Sequence, residues 1–226
     1  MSPTAYPLSV QSRLDQPGRW LWLVKWLLLI PHYIILAFLW LAFVVVTLIA
    51  FFAILFTTRY PRGLFDFNAG VLRWSWRVSY YGYSALATDR YPPFTLADVA
   101  DYPARLRVDH PEQLNRWLPL VKWLLAFPHY LLVGAFVGSG YVVGSGMDDG
   151  RGFAYTGPSL IGAGVLIAAV ALLFTTRYPS GLYDLVIGIN RWSYRLVVYV
   201  ALMTDRYPPF RLDQGGEEPE YATEPS

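Results

Sequence analysis

The sequence predicts an all-α membrane protein of two tandem repeats, each a transmembrane helical hairpin followed by an amphipathic Arg/Trp-rich helix. Three observations predict it. Between residues 26 and 56 one side chain, His32, can carry charge near neutral pH. That run is far longer than the roughly 18 apolar residues that indicate a membrane span. Hydrophobic residues make up 55% of the chain and charged residues 15%, against roughly 45–50% and 25% in soluble domains. Finally, six blocks occur twice in the same order, which chance does not produce.

The blocks set the organisation. Residues 19–28 return at 116–125, and Pro31-His32-Tyr33 returns as Pro128-His129-Tyr130. Residues 55–61 return at 173–179, and 63–66 at 181–184. Arg73-Trp74-Ser75-Trp76-Arg77 matches Arg191-Trp192-Ser193-Tyr194-Arg195, and residues 88–94 return at 204–210. Repeat 1 therefore covers 1–97 and repeat 2 covers 98–212. Lys25 and Lys122 are 97 apart whereas Arg59 and Arg177 are 118 apart, so the second copy carries about 21 more residues. The insertion centres on the Gly- and Asp-rich stretch 144–152, a water-exposed turn.

That turn divides residues 118–175 into two apolar segments, a hairpin. Repeat 1 is expected to share it, entering at 20–38 and returning at 41–57. No Gly, Pro or polar residue marks an apex there, and 38 residues give roughly 57 Å of helix, just short of two crossings of a core about 30 Å thick. A single long tilted helix preceded by an interfacial one is the competing arrangement. The hairpin puts Arg19, Lys25, Arg59 and Arg62 on one face, as the positive-inside bias expects. It implies four crossings, a multi-pass protein of the cell membrane, and a cytoplasmic basic face with both termini.

The amphipathic helices are expected at about 64–87 and 182–203. At about 100° per residue, Asp66, Arg73 and Arg77 share one narrow stripe, and Asp184, Arg191 and Arg195 repeat it. Arginine offers planar paired donors to phosphate, so these six residues form the candidate lipid-headgroup or anion site. The expected setting is the headgroup layer; a crossing with the stripe turned inward is the alternative. Short β segments are expected to flank the repeats, at Arg105-Leu106-Arg107-Val108 and at residues 9–13. The acidic tail 213–226 reads as disordered.

With these paired motifs in hand, above all the two Thr-Asp-Arg-Tyr-Pro-Pro-Phe blocks, the chain resembles a bacterial membrane family known as domain of unknown function 4389. The likeness spans 6–212. It implies a membrane protein, often duplicated, with no established activity and no site residues to carry over.

Absent cysteines exclude disulfides, thiolate metal sites and cysteine nucleophiles. No nucleophile elbow, phosphate loop or metalloprotease motif occurs. No catalytic residue and no cofactor is therefore expected. His32 and His129 are the weak candidates for a metal, with no carboxylate recurring beside them. Basic residues interleave with apolar segments, which argues against nucleic acid. The expected partners are the bilayer, with anionic lipid, and another membrane protein. The function that follows is a non-catalytic membrane scaffold or accessory subunit. The alternative is a small transporter or channel-like module with its Asp/Arg stripes facing the interior.

Overall fold

The computed structural model describes residues 6–15, 17–137, 140–144, 153–157, 159–175 and 177–213. The chain is mostly helical, and among the described residues one helix, α1 (Trp22–Thr57), is long and apolar enough to cross a membrane. α1 is followed by α2 (Arg62–Tyr81), and β1 (Leu8–Ser12) precedes them. Then come β2 (Ala104–Val108), α3 (Leu118–Leu125), α4 (Phe127–Val137), β3 (Gly140–Gly144), β4 (Phe153–Gly157), α5 (Leu160–Thr175) and α6 (Ser180–Val200).

The first hairpin does not form. α1 is one helix of 36 residues, about 54 Å long, and it runs straight through the expected apex at residues 39–40. Nothing there favours a turn, and Trp40 is anchored by its indole N–H to Ser75 Oγ on α2 at 3.1 Å. The helix stops only at Thr58, whose left-handed backbone (φ 59°) turns its N–H back to the Ile54 carbonyl.

The second hairpin is replaced too. Lys122 and His129 pack near Tyr199 and Trp192 on α6, while Gly164 on α5 faces Leu182 and Val186. α3, α4 and α5 thus run in one sense along α6, antiparallel to it, as α1 runs along α2. The insertion breaks a long helix without reversing it. β3 and β4 pair antiparallel within it; residues 145–152 of the expected turn lie outside the described residues. Gly134 makes no close helix contact.

α2 and α6 start near their expected positions but end early, at Tyr81 and Val200, followed by positive-φ turns at Leu86 and Leu202. Neither lies exposed in a headgroup layer. Both are largely buried between two different coverings. On one side stand α1 and α3–α5, whose outward residues (Phe38, Leu48, Phe52, Leu131, Ile167, Phe174 among them) are large, apolar and exposed. On another stand β1 and β2, which pair antiparallel with Val10 opposite Leu106.

The sheet follows from its alternation. Leu8, Val10, Leu106 and Val108 face the core, whereas Arg105 and Arg107 face out. β1 packs on α6 and β2 on α2, so each strand covers the amphipathic helix of the other half of the chain.

Candidate functional site

The buried stripe of α1 places Lys25, Leu29, His32 and Leu36 on one face, three or four residues apart. Lys25, fully buried, donates from Nζ to the Thr88 carbonyl at 2.7 Å and pairs with Asp89 Oδ1 at 2.9 Å. Its ammonium also lies 4.7 Å from the Tyr81 ring centre. One helical turn pair further on, His32 is enclosed by aromatic rings. It stacks on Phe94 at 4.0 Å, meets Tyr91 at 5.0 Å, and its Nδ1 accepts the Trp74 indole N–H at 3.1 Å.

The second half repeats the arrangement atom for atom. Lys122 donates to the Thr204 carbonyl at 2.7 Å, pairs with Asp205 at 2.8 Å and lies 5.2 Å from the Tyr199 ring. His129 stacks on Phe210 at 4.0 Å and accepts from Trp192 at 3.0 Å. Tyr91 donates to the Leu28 carbonyl and Tyr207 to the Leu125 carbonyl. The Thr-Asp-Arg-Tyr-Pro-Pro-Phe block is therefore a clasp. Its threonine carbonyl and aspartate neutralise the lysine, its tyrosine ties a helix carbonyl, and its phenylalanine covers the histidine.

Because Nδ1 accepts, the neutral ring carries its proton on Nε2. The Nε2 of His32 is buried with no hydrogen-bond partner among the described residues. His32 and His129 sit in separate cages, and no group of three metal-ligating side chains occurs among the described residues. Replacing Trp74 by Phe leaves Nδ1 of His32 unsatisfied, so a loss of about 1–3 kcal/mol is expected. Thermal unfolding in detergent checks this, with Tyr91→Phe as the milder comparison.

The six residues of the expected anion site do not gather. Arg73 donates to the Leu106 carbonyl at 3.1 Å and Arg77 to the carbonyls of Ala97 and Thr95. Arg191 donates to the carbonyls of Val10 and Asp213, both at 2.8 Å, and Arg195 pairs with the Asp213 carboxylate. Arg73 and Arg191 thus grip register partners of the sheet. Asp66 is exposed and Asp184 half-buried, and neither joins an ion pair among the described residues. Asp213, assigned to the disordered tail, is packed against the arginines; the rest of that tail lies outside the described residues.

A basic pocket lies elsewhere, beside the sheet. Arg13, Arg90 and Arg105 line an open cavity of about 570 Å³. Arg105 pairs with Asp98 at 2.5 Å, and this bond holds the Asp98 carboxyl below the usual carboxylate range against the opposing effect of burial. Sequence reasoning missed this pocket and both buried lysines. The one available signal was the seven-residue spacing shared by Lys25/His32 and Lys122/His129, which puts each pair on one helix face.

A family model described as domain of unknown function (DUF4389) matches residues 19–95 and 155–211, more than half of the chain. The chain belongs to this family. No curated protein and no solved structure matches it. The first family segment holds a whole clasp, from Lys25 to Phe94. The second holds Trp192, Tyr207 and Phe210 but not Lys122 or His129, which fall in the unmatched stretch.

Proposed function

We propose that the chain is a non-catalytic membrane scaffold, two copies of one unit seated together in a single leaflet, with the charged face of the β1–β2 sheet presented to water. The observation that carries this reading is the path of the connector between the halves. At the start of α1, Lys25 is tied to Thr88 and Asp89. At its end, the Leu114 N–H donates to the Thr58 carbonyl at 2.9 Å. The chain from 89 to 114 therefore follows α1 along most of its length, and it exposes Asp98, Asp101, Arg105, Arg107, Asp109 and Glu112.

An upright α1 would draw this string of charges through hydrocarbon, at roughly 2.5–3.5 kcal/mol for each central Asp or Arg. Lying along the leaflet, α1 and α3–α5 face the acyl chains while the connector stays in water. Arg19, Arg59, Arg62, Arg116 and Arg177 are all exposed at helix ends. In this orientation they reach the same headgroup layer, where anionic lipid attracts each by about 1 kcal/mol. The described ends of the chain also meet, since Arg191 binds the carbonyls of Val10 and Asp213. That supports both termini on the basic, cytoplasmic side. Against the multi-pass arrangement, α1 does not reverse; against the transporter alternative, the buried Arg77, Arg191 and Arg195 are already engaged by backbone carbonyls and by Asp213.

The chain has no cysteine, so single Arg19→Cys and Arg59→Cys variants report directly. In sealed membrane vesicles, both are expected to react with an impermeant maleimide from the same side. Labelling of the two from opposite sides sinks the single-leaflet reading.

A further inference from the structure

Two neighbouring cavities share Trp40 and Val197 as lining, in the middle of α1 and near the end of α6. One, about 380 Å³, is an apolar groove on the lipid-facing side, walled by Phe43, Val44, Leu196 and Val200. The other, about 330 Å³, penetrates between α2, α5 and α6 and is lined by Ser79, Ser84, Ser159, Asn190 and Ser193. Among the described residues, no Lys, Arg, Asp, Glu or His borders either cavity. Together their size falls within the range of small-molecule sites, mostly apolar with a few convergent polar groups.

The polar groups are arranged as a neutral mixture of donors and acceptors. Asn190 Nδ2 already donates to the carbonyls of Ser84 and Val186, at 3.2 and 2.8 Å, which leaves its Oδ1 to accept. Ser193 Oγ donates to the Ile189 carbonyl at 2.9 Å, and Ser159 Oγ accepts the Gly162 N–H at 3.0 Å, leaving its own proton to donate. A phosphate or ammonium group placed here would be a buried charge without a partner, costly in proportion to its desolvation. A hydroxyl or amide would find both kinds of partner.

The position has a cause in the sequence. The residue matching Trp40 in the second copy is Val137, where the insertion begins, and Ser159 to Gly162 lie just after it. The unbroken α1 thus faces a broken helix, and the pocket opens at the break, where a uniform repeat would pack shut.

We infer that this composite cavity binds an uncharged amphiphile, its hydroxyl- or amide-bearing head among Ser84, Asn190 and Ser193 and its chain in the groove of Phe43, Val44 and Val200. The inference needs acyl chains around the groove but not the single-leaflet orientation, so it stands or falls separately from the cysteine labelling.

Photo-crosslinking of the purified full chain in detergent tests it, using a diazirine-bearing hexadecanol as probe, with the matching fatty acid and a diazirine phosphatidylglycerol as charged comparisons. Adducts of the alcohol are expected at Phe43, Val44 or Val200, at about tenfold the yield of either charged probe. Val197→Trp, which fills the junction, is expected to abolish them, and the milder Ser193→Ala to reduce them severalfold without unfolding the chain. Equal yields from the charged probes, adducts spread evenly over Phe38 and Phe52 on the outer face, or unchanged labelling of Val197→Trp overturns the proposal. A Val197→Trp chain that fails to fold leaves Ser193→Ala to decide, and unchanged labelling there overturns it equally.

Discussion

Asp89→Ala is expected to destabilise the chain by about 3–5 kcal/mol, whereas Lys25→Met is expected to change stability by about 1 kcal/mol or less. Both remove the same ion pair. The difference lies in what remains. Without Asp89, the fully buried Lys25 ammonium keeps the Thr88 carbonyl and the Tyr81 ring but has no counter-ion, and the Gly18 N–H loses its acceptor. Without Lys25, an unbranched apolar side chain fills the same channel, and Asp89, whose side chain is 31% exposed, turns to water. The loss for Asp89→Ala corresponds to a fall in Tm on the order of 10 °C for a chain of this size. Near-UV circular dichroism during thermal unfolding in detergent measures it. The double variant should be more stable than Asp89→Ala alone, and simple additivity of the two losses would refute the buried-charge account. Asp205→Ala and Lys122→Met should behave alike, since the second clasp keeps the same distances.

The paired clasps also explain why an apolar helix tolerates a lysine one turn from its start. An uncompensated ammonium would be expelled toward the headgroups. Here the Thr-Asp block is folded over it, so the charge fixes the angle at which α1 meets the end of α2. The same holds for His32. Its aromatic cage is built from Trp74 on α2 and from Tyr91 and Phe94 on the clasp, so one histidine joins three segments.

Much of this was legible from residues alone, and the misses have physical reasons. The alternation Arg105-Leu106-Arg107-Val108 announced β2, because period-two patterning fits one buried face. The repeated blocks announced two equivalent sites. The hairpin in α1 failed because the placement of Arg19, Lys25, Arg59 and Arg62, which the positive-inside bias favours on one face, does not override local chemistry. The absence of Gly, Pro or a polar residue at 39–40 was itself the statement that the helix continues. The Arg stripes were recognised, but their partners were not, since backbone carbonyls of Val10, Ala97 and Leu106 carry no sequence signature. Asp66 misled through angle alone. Seven residues separate it from Arg73, about 10 Å along the axis, so sharing a stripe did not bring them together. Lys25 and Asp89 lie 64 positions apart in the chain, a pairing that only the fold reveals.

Arg191→Met is expected to lower stability by about 3–6 kcal/mol, from two hydrogen bonds to a charged donor at about 1.5–3 kcal/mol each. Arg191 is fully buried, with Nε on the Val10 carbonyl and an outer nitrogen on the Asp213 carbonyl. It thereby ties β1 and the segment after α6 to the same point. Arg191→Lys should recover less than half of the loss, because a compact ammonium cannot serve two carbonyls in the geometry of a planar fork. The effect should be local first. Amide hydrogen exchange in β1 is expected to accelerate before that of α1, since β1 packs on α6 whereas α1 is held by α2 and its clasp. The same variant separates the two roles open to this arginine. If it served lipid phosphate, Arg191→Met would leave Tm and strand exchange unchanged and reduce the anionic lipid that co-purifies. Loss of β1 protection with lipid content unchanged is the expected result, because a side chain with both ends on protein carbonyls has little left to offer a headgroup.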